Sequence, residues 1–364
     1  MPMTPMEVMR AAVRFERPDR LPVEMETLGY SDSYWVGFNQ DCPWRRDGEG
    51  LDEWGCRWVK TDVPTMGQPL GHPLSSFDDV ADYPFPDPYE PQVFEKMADE
   101  VATAELTGKY VLVSQFMMLF ERMHALMGFE TVLRGLYTDP EPLGILADRI
   151  VEYDVARLNR AGELFGDRIH AYGGTDDWGT QQALFISPAK WREFFLPRYK
   201  RIWDAAHAWG WDVRLHSCGK VNDAIPLMKE AGLNMINLQQ PRALGIEEVG
   251  RKYSGVMAFE TLADIQHTLP TGDPAEIEAD AEALLRWWAA PDGGFVLSDY
   301  GDGAAIGVAD EAKKIMLKAF LDRDPYISEG RRHPAYEALG EEPTELPNPM
   351  SWRRDNLTNR NDMV

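Results

Sequence analysis

DVRLHSCGKVNDAIPLMKEAGLNMINLQ, residues 212–239, reads as a strand, a helix and a second strand in one short stretch. In DVRLHS the apolar residues alternate with Arg214 and His216, the two-residue period of a strand. A helix follows over 222–231, Gly232 ends it, and NMINLQ opens the next strand. Strands joined through a helix run parallel. The same unit recurs downstream: NMINLQ leads to a helix over 246–252, GVMAFE to one over 274–289, and GFVLSD to one over 308–323.

Working outward, LPVEMET (21–27) is a strand after a short N-terminal helix, and YVLVSQF (110–116) is a buried strand followed by helical stretches over 118–165. RIHAYGG (168–174) is a third strand. It precedes a long amphipathic helix over 187–210, with Ser187 as N-cap, Pro188 at the first helical position and Gly210 at the end. Seven strands with helices between them predict an α/β fold with a parallel sheet. No G-x-G-x-x-G follows the first strand, so a distorted (β/α)8 TIM barrel fits better than an open dinucleotide-binding sheet. An eighth strand is not evident. The barrel is expected to span 1–325. Residues 30–90, rich in Gly, Pro, Trp and Asp, form an irregular insertion at its mouth with a hairpin at GCRWVK, and 326–364 is a polar tail packed on the surface.

Composition narrows the function. A net charge of −23 over 364 residues argues against nucleic acid or an anionic membrane as partner, because both need a basic face. The N-terminus lacks the apolar core of a signal peptide, and no run is long enough to span a membrane. Three cysteines (Cys42, Cys56 and Cys218) make no disulfide framework, and their odd number fits a reducing cytoplasm.

In a barrel of this kind function sits at the C-terminal ends of the strands. Those ends carry Glu26, Ser114 and Gln115, Asp176 and Asp177, His216 and Cys218, Gln239 and Gln240, Glu260, and finally Asp299, Tyr300 and Asp302. His216 and Cys218 lie two apart and so point the same way, with Ser217 turned from them. Imidazole and thiolate together suit zinc; the alternative is a buried cysteine beside a histidine bonded to backbone. The adjacent acids Asp176 and Asp177 point to opposite sides, so one faces the pocket; for either, the alternative is an Asx-turn or a cap for the helix that follows. Glu26 is placed to act as acid, base or ligand, or else as an exposed loop carboxylate. Glu121 is a supporting group on a helix, and His267 a reserve ligand. Gln181, Gln182 and Gln239 are candidates to hydrogen-bond a substrate oxygen, while Trp178, Tyr30, Trp35 and Tyr300 would wall a flat, aromatic substrate.

AAVRFERPDRLPVEM, GGTDDWGTQQALFISPAKWREFFLPRYKRI, LHSCGKV and DIQHTLPTGDPAEI together resemble the uroporphyrinogen decarboxylase-like superfamily, over roughly residues 4 to 325. The superfamily includes zinc- and cobalamin-dependent methyltransferases, and the motifs are most similar to that branch. The resemblance implies a distorted (β/α)8 barrel with its pocket at the C-terminal mouth, and zinc ligands at His216 and Cys218. Relatives take the third ligand from the loop after the last strand. There this chain reads SDYGDGAA, which implies Asp299 or Asp302 in place of a cysteine. Decarboxylases of the family greet a polycarboxylate with arginines after the first strand; here the residues are ETLGYSDSYW, which would repel it.

The expected function is therefore a zinc methyltransferase that moves a methyl group between a small molecule and a corrinoid (cobalamin) carried by a partner protein. A carboxylate in place of a thiolate favours demethylation of an oxygen, since it leaves zinc the stronger Lewis acid. A homodimer is compatible with this reading. A metal-free decarboxylase, with Asp177 stabilising a protonated intermediate, is the second reading, and a non-catalytic tetrapyrrole- or corrinoid-binding protein the third.

Overall fold

The structure, a computed structural model, describes residues 1–38, 49–60 and 67–340. All seven expected strands form: β1 (Val23–Met25), β2 (Tyr110–Gln115), β3 (Ala171–Thr175), β4 (Asp212–His216), β5 (Met235–Leu238), β6 (Ala258–Thr261) and β7 (Phe295–Ser298). They are buried almost throughout because helices cover the sheet, which is why they read as apolar runs. The fold is the α/β barrel class. The chain divides into two compact units: residues 1–34, 107–110 and 234–364 in the first, 35–106 and 111–233 in the second. In the first unit β1 pairs with β7, β7 with β6 and β6 with β5, all parallel. In the second, β2, β3 and β4 pair in parallel, with Thr175 opposite His216 at the end of the ladder.

Three features differ from the expectation. The long helix over 187–210 is two helices, Pro188–Phe194 and Leu196–Ala208. Pro197 has no N–H to give and disfavours a helical residue before it, so the ladder restarts there. Ser187 caps the first of the two as expected, its hydroxyl accepting from Lys190 N–H at 3.2 Å. The irregular insertion contains a further strand, Ser33–Gly37, after which Phe38 N–H donates to the Ser114 carbonyl beside β2. The hairpin at GCRWVK forms and gains a third strand: Glu49–Leu51, Arg57–Val59 and Gln68–Gly71 are antiparallel. Cys56 is a packing residue there, buried, with its N–H bound to Asp52 Oδ1 and its thiol pushed up to about 12 by burial. Cys42, and the tail beyond residue 340, lie outside the described residues.

One buried acid sets a pH dependence. Asp154, fully buried in the helix Pro140–Phe165, accepts from Gln115 Nε2 at 2.6 Å. Its other oxygen has no hydrogen-bond partner, and burial pushes the carboxyl up to about 8. An unfolded aspartate ionises near 4, so between about 4 and 8 the folded state holds a proton that the unfolded state releases. Stability from this group is complete below that window and falls with rising pH at up to about 1.4 kcal/mol per pH unit. Asp154→Asn, which mimics the protonated acid, is expected to be more stable than the parent at pH 8 and to flatten the decline from pH 5. Urea melts at the two pH values measure this, and an Asn variant that loses stability at pH 8 would contradict it.

Candidate metal centre

The centre is built from two neighbouring loops of the second unit. The chain leaves β3 through Thr175, Asp176, Asp177, Trp178 and Gly179, and leaves β4 through His216, Ser217, Cys218 and Gly219. The loops are tied together by backbone: Asp176 N–H donates to the His216 carbonyl at 3.0 Å, and Lys220 N–H to the Thr180 carbonyl at 2.7 Å. The Ser217 hydroxyl, buried on the opposite side from His216 and Cys218, accepts from Trp178 N–H at 3.0 Å. The approach requires glycine: at Gly219, with φ +81°, a Cβ would lie 2.2 Å from the Gly179 carbonyl oxygen.

Asp176 and Asp177 point apart, as adjacent strand-end residues should. Asp176 is fully buried and holds the start of the helix Phe120–Met127. Its oxygens accept from the N–H groups of Leu119 (2.8 Å), Phe120 (2.9 Å) and Glu121 (2.6 Å) and from the Tyr199 hydroxyl (2.5 Å). Burial raises its carboxyl to about 6 against these bonds, which lower it. The helix it caps precedes β3 in the chain; the expectation for such a capping aspartate was the helix that follows.

Asp177 faces the other way. Its Oδ1 accepts from Cys218 N–H at 2.7 Å and lies 3.6 Å from His216 Nε2, while Cys218 Sγ is 3.3 Å from the same Nε2. The three ligand atoms all lie within 4.8 Å of one another. A tetrahedral ion with bonds of ~2.0–2.3 Å holds neighbouring ligand atoms roughly 3.3–3.8 Å apart. The two separations from His216 Nε2, 3.6 and 3.3 Å, fall in that range, and one imidazole nitrogen, one thiol sulfur and one carboxylate oxygen are a donor set that suits zinc with a position left open.

The same three residue types could form a nucleophilic triad, but in that arrangement the acid and the nucleophile bind opposite imidazole nitrogens. Here both approach Nε2. Burial, and then the charge of Asp177, push the Cys218 thiol up, whereas an activated cysteine is pushed down. Convergence of both groups on Nε2 is an arrangement that could hold a metal ion.

The sequence model of the family described as uroporphyrinogen decarboxylase (URO-D) matches residues 59–320. The chain belongs to the uroporphyrinogen decarboxylase family. No curated protein sequence matches it significantly. Among solved structures it is similar to a methyltransferase from Methanosarcina mazei, at 14% identity and a TM-score of 0.64, over 87% of this chain and 98% of the other. At that identity the likeness shows a shared fold. A D-psicose 3-epimerase aligns at 11% identity over 67% of this chain and 80% of its own, with a TM-score of 0.40, too low to argue from.

In this member of the URO-D family the other expected site residues have the following surroundings. Asp299, in the first unit, is nearly buried, with Lys313 Nζ 3.2 Å from Oδ1 and the Thr27 hydroxyl donating to Oδ2. Asp302 is exposed and caps a short 3-10 helix, Gly303–Ile306, through Ala305 N–H. The Tyr300 carbonyl accepts from Lys313 at 2.9 Å. Glu26 is exposed on a 3-10 turn. Tyr30 donates to Asp32 Oδ1 at 3.1 Å, and the Gln239 carbonyl accepts from Ile265 N–H. Glu260 is buried at the end of β6, accepting from Asn237 Nδ2 at 2.6 Å. In the second unit Trp35 is 36% exposed beneath the Arg214 guanidinium, and Gln181 is exposed on the loop after Gly179.

Trp178 is a correction. It has no accessible surface, stacks on Phe120 at 4.3 Å and donates to the Tyr199 hydroxyl, so it is a core residue with no face for a substrate. Its neighbours in the chain are polar, and the rings that bury it come from helices distant in sequence, so nothing local marks it as core.

Glu121 is held by the end of β3. The Thr175 hydroxyl donates to its Oε2 at 2.7 Å, and burial together with the charges of Asp177 and Asp176 pushes its carboxyl well up.

Proposed function

We propose that this protein is a zinc methyltransferase that takes a methyl group from a small methylated molecule and passes it to a corrinoid carried by a partner protein. The observation that carries this is the approach of Asp177 Oδ1 and Cys218 Sγ to the same His216 nitrogen, at 3.6 and 3.3 Å, with all three ligand atoms within 4.8 Å of one another. The third ligand is Asp177, in place of Asp299 or Asp302, whose carboxylates already serve Lys313 and a helix cap. Membership of the family and the fold shared with a methyltransferase support the same reading.

Zinc, when bound, supplies Lewis-acid polarisation of the substrate's leaving atom. The chain's own residues hold and orient. Cys218 N–H fixes the rotamer of Asp177, Thr175 fixes Glu121 beside it, and the paired glycines keep the two loops in contact. The methyl–oxygen bond would break with its electron pair left on oxygen, which would take a proton from solvent, and the methyl would pass to the reduced corrinoid of the partner, whose chemistry is to accept it as a methylcorrinoid.

The test is an anaerobic incubation of zinc-loaded protein with reduced cobalamin and a panel of methoxylated and N-methylated small molecules. Methylcobalamin is expected in the absorption spectrum with at least one of them. Release of carbon dioxide from a carboxylated substrate, with no cobalamin present, would establish the decarboxylase reading instead.

A further inference from the structure

The helix Phe120–Met127 carries a second polar residue on the Glu121 side of the site. His124 lies three residues on, hence on the same face, and it feels the charge of Asp177. It is half-buried, its ring edge-on to Phe120 (5.2 Å) and Phe129 (5.5 Å). Among the described residues no hydrogen bond reaches either imidazole nitrogen. Burial pushes its pKa down to about 4, so at neutral pH the ring keeps one N–H donor and no charge.

Phe129 is 40% exposed and meets Phe185 edge to face at 5.0 Å. Phe185 N–H donates to the Trp178 carbonyl at 3.0 Å, which anchors that ring one residue beyond Asp177. The stacked Phe120–Trp178 pair is the buried floor beneath. The result is an aromatic shelf beside the metal ligands, apolar inside, open at Phe129, with one unused N–H on its rim.

We propose that His124, Phe129 and Phe185 form the subsite for the ring of an aryl methyl ether, with the His124 imidazole donating a hydrogen bond to a ring oxygen. This rests on the methyl-transfer reading and names its substrate class. Aromatic rings pack edge to face or offset on such a shelf. The rim N–H decides between donors of similar shape, because an oxygen on the ring accepts it and a quaternary ammonium offers no acceptor.

Equilibrium binding of 2-methoxyphenol, and of toluene as its oxygen-free counterpart, tests the subsite without any turnover. Phe129→Ala and Phe185→Leu are each expected to weaken both ligands about tenfold, and His124→Phe to weaken 2-methoxyphenol about tenfold with toluene unchanged, zinc content staying at the parent's in all three. Equal affinities across parent and variants would overturn the subsite, as would methyl transfer from N-methylated donors alone. Subsite-dependent binding without methylcobalamin formation from any donor would leave the subsite standing and remove the methyltransferase reading.

Discussion

His216→Ala or Cys218→Ala protein, purified without added zinc, is expected to carry less than about a tenth of the roughly one zinc per chain of the parent. Catalytic zinc is held by three protein ligands, and two of a set of three make a weak site. Asp177→Ala should empty the site as well, since it supplies the carboxylate of the three converging groups. Asp302→Ala is the informative control. Its carboxylate caps a short helix in the other unit, so zinc should stay near one equivalent. Metal analysis reads all four proteins. Zinc retained in Asp177→Ala and lost in Asp302→Ala would return the third ligand to the loop after β7. A parent with less than about a tenth of an equivalent would remove the zinc reading altogether.

The third ligand is proposed at Asp177, and no longer in the loop after β7, for a physical reason. The strand alternation that placed His216 and Cys218 on one face, and separated Asp176 from Asp177, is a local rule that the sequence displays directly. Whether an aspartate is available to a metal depends on what else reaches it. Lys313 comes to Asp299 from a helix fourteen residues further on, through a side chain that nothing in the chain marks as buried. The aromatic shelf was illegible for a similar reason. FERMHALMGFE reads as an ordinary amphipathic helix and turn, and only the capping of that helix by Asp176 turns Glu121 and His124 toward the β3 loop. The break at Pro197 is a different case: a proline inside a run of helical pattern is a signal the sequence does carry, and the single helix expected over 187–210 passed over it.

Asp176→Ala is expected to cost about 3–5 kcal/mol of stability, where Asp177→Ala costs little stability and removes the metal. The two residues are neighbours in the chain, but Asp176 has no exposed surface and satisfies three backbone N–H groups at the start of the helix Phe120–Met127, together with the Tyr199 hydroxyl. Alanine leaves those donors buried, and each unsatisfied donor costs about 1–3 kcal/mol. The sum is less than four such costs because removing the carboxyl also removes the burial penalty that raises its pKa. Asp176→Asn keeps one acceptor oxygen for the helix start and should recover about half of the loss. Urea denaturation of the three variants gives the order: Asp177→Ala near the parent, Asp176→Asn below it, Asp176→Ala lowest. Zinc bound to the folded state stabilises it by mass action, so the comparison is made with chelator present. If Asp176→Ala proved as stable as Asp177→Ala under those conditions, Asp176 would not be what sets the helix in place. The position of Glu121 and His124 beside the β3 loop would then need another cause.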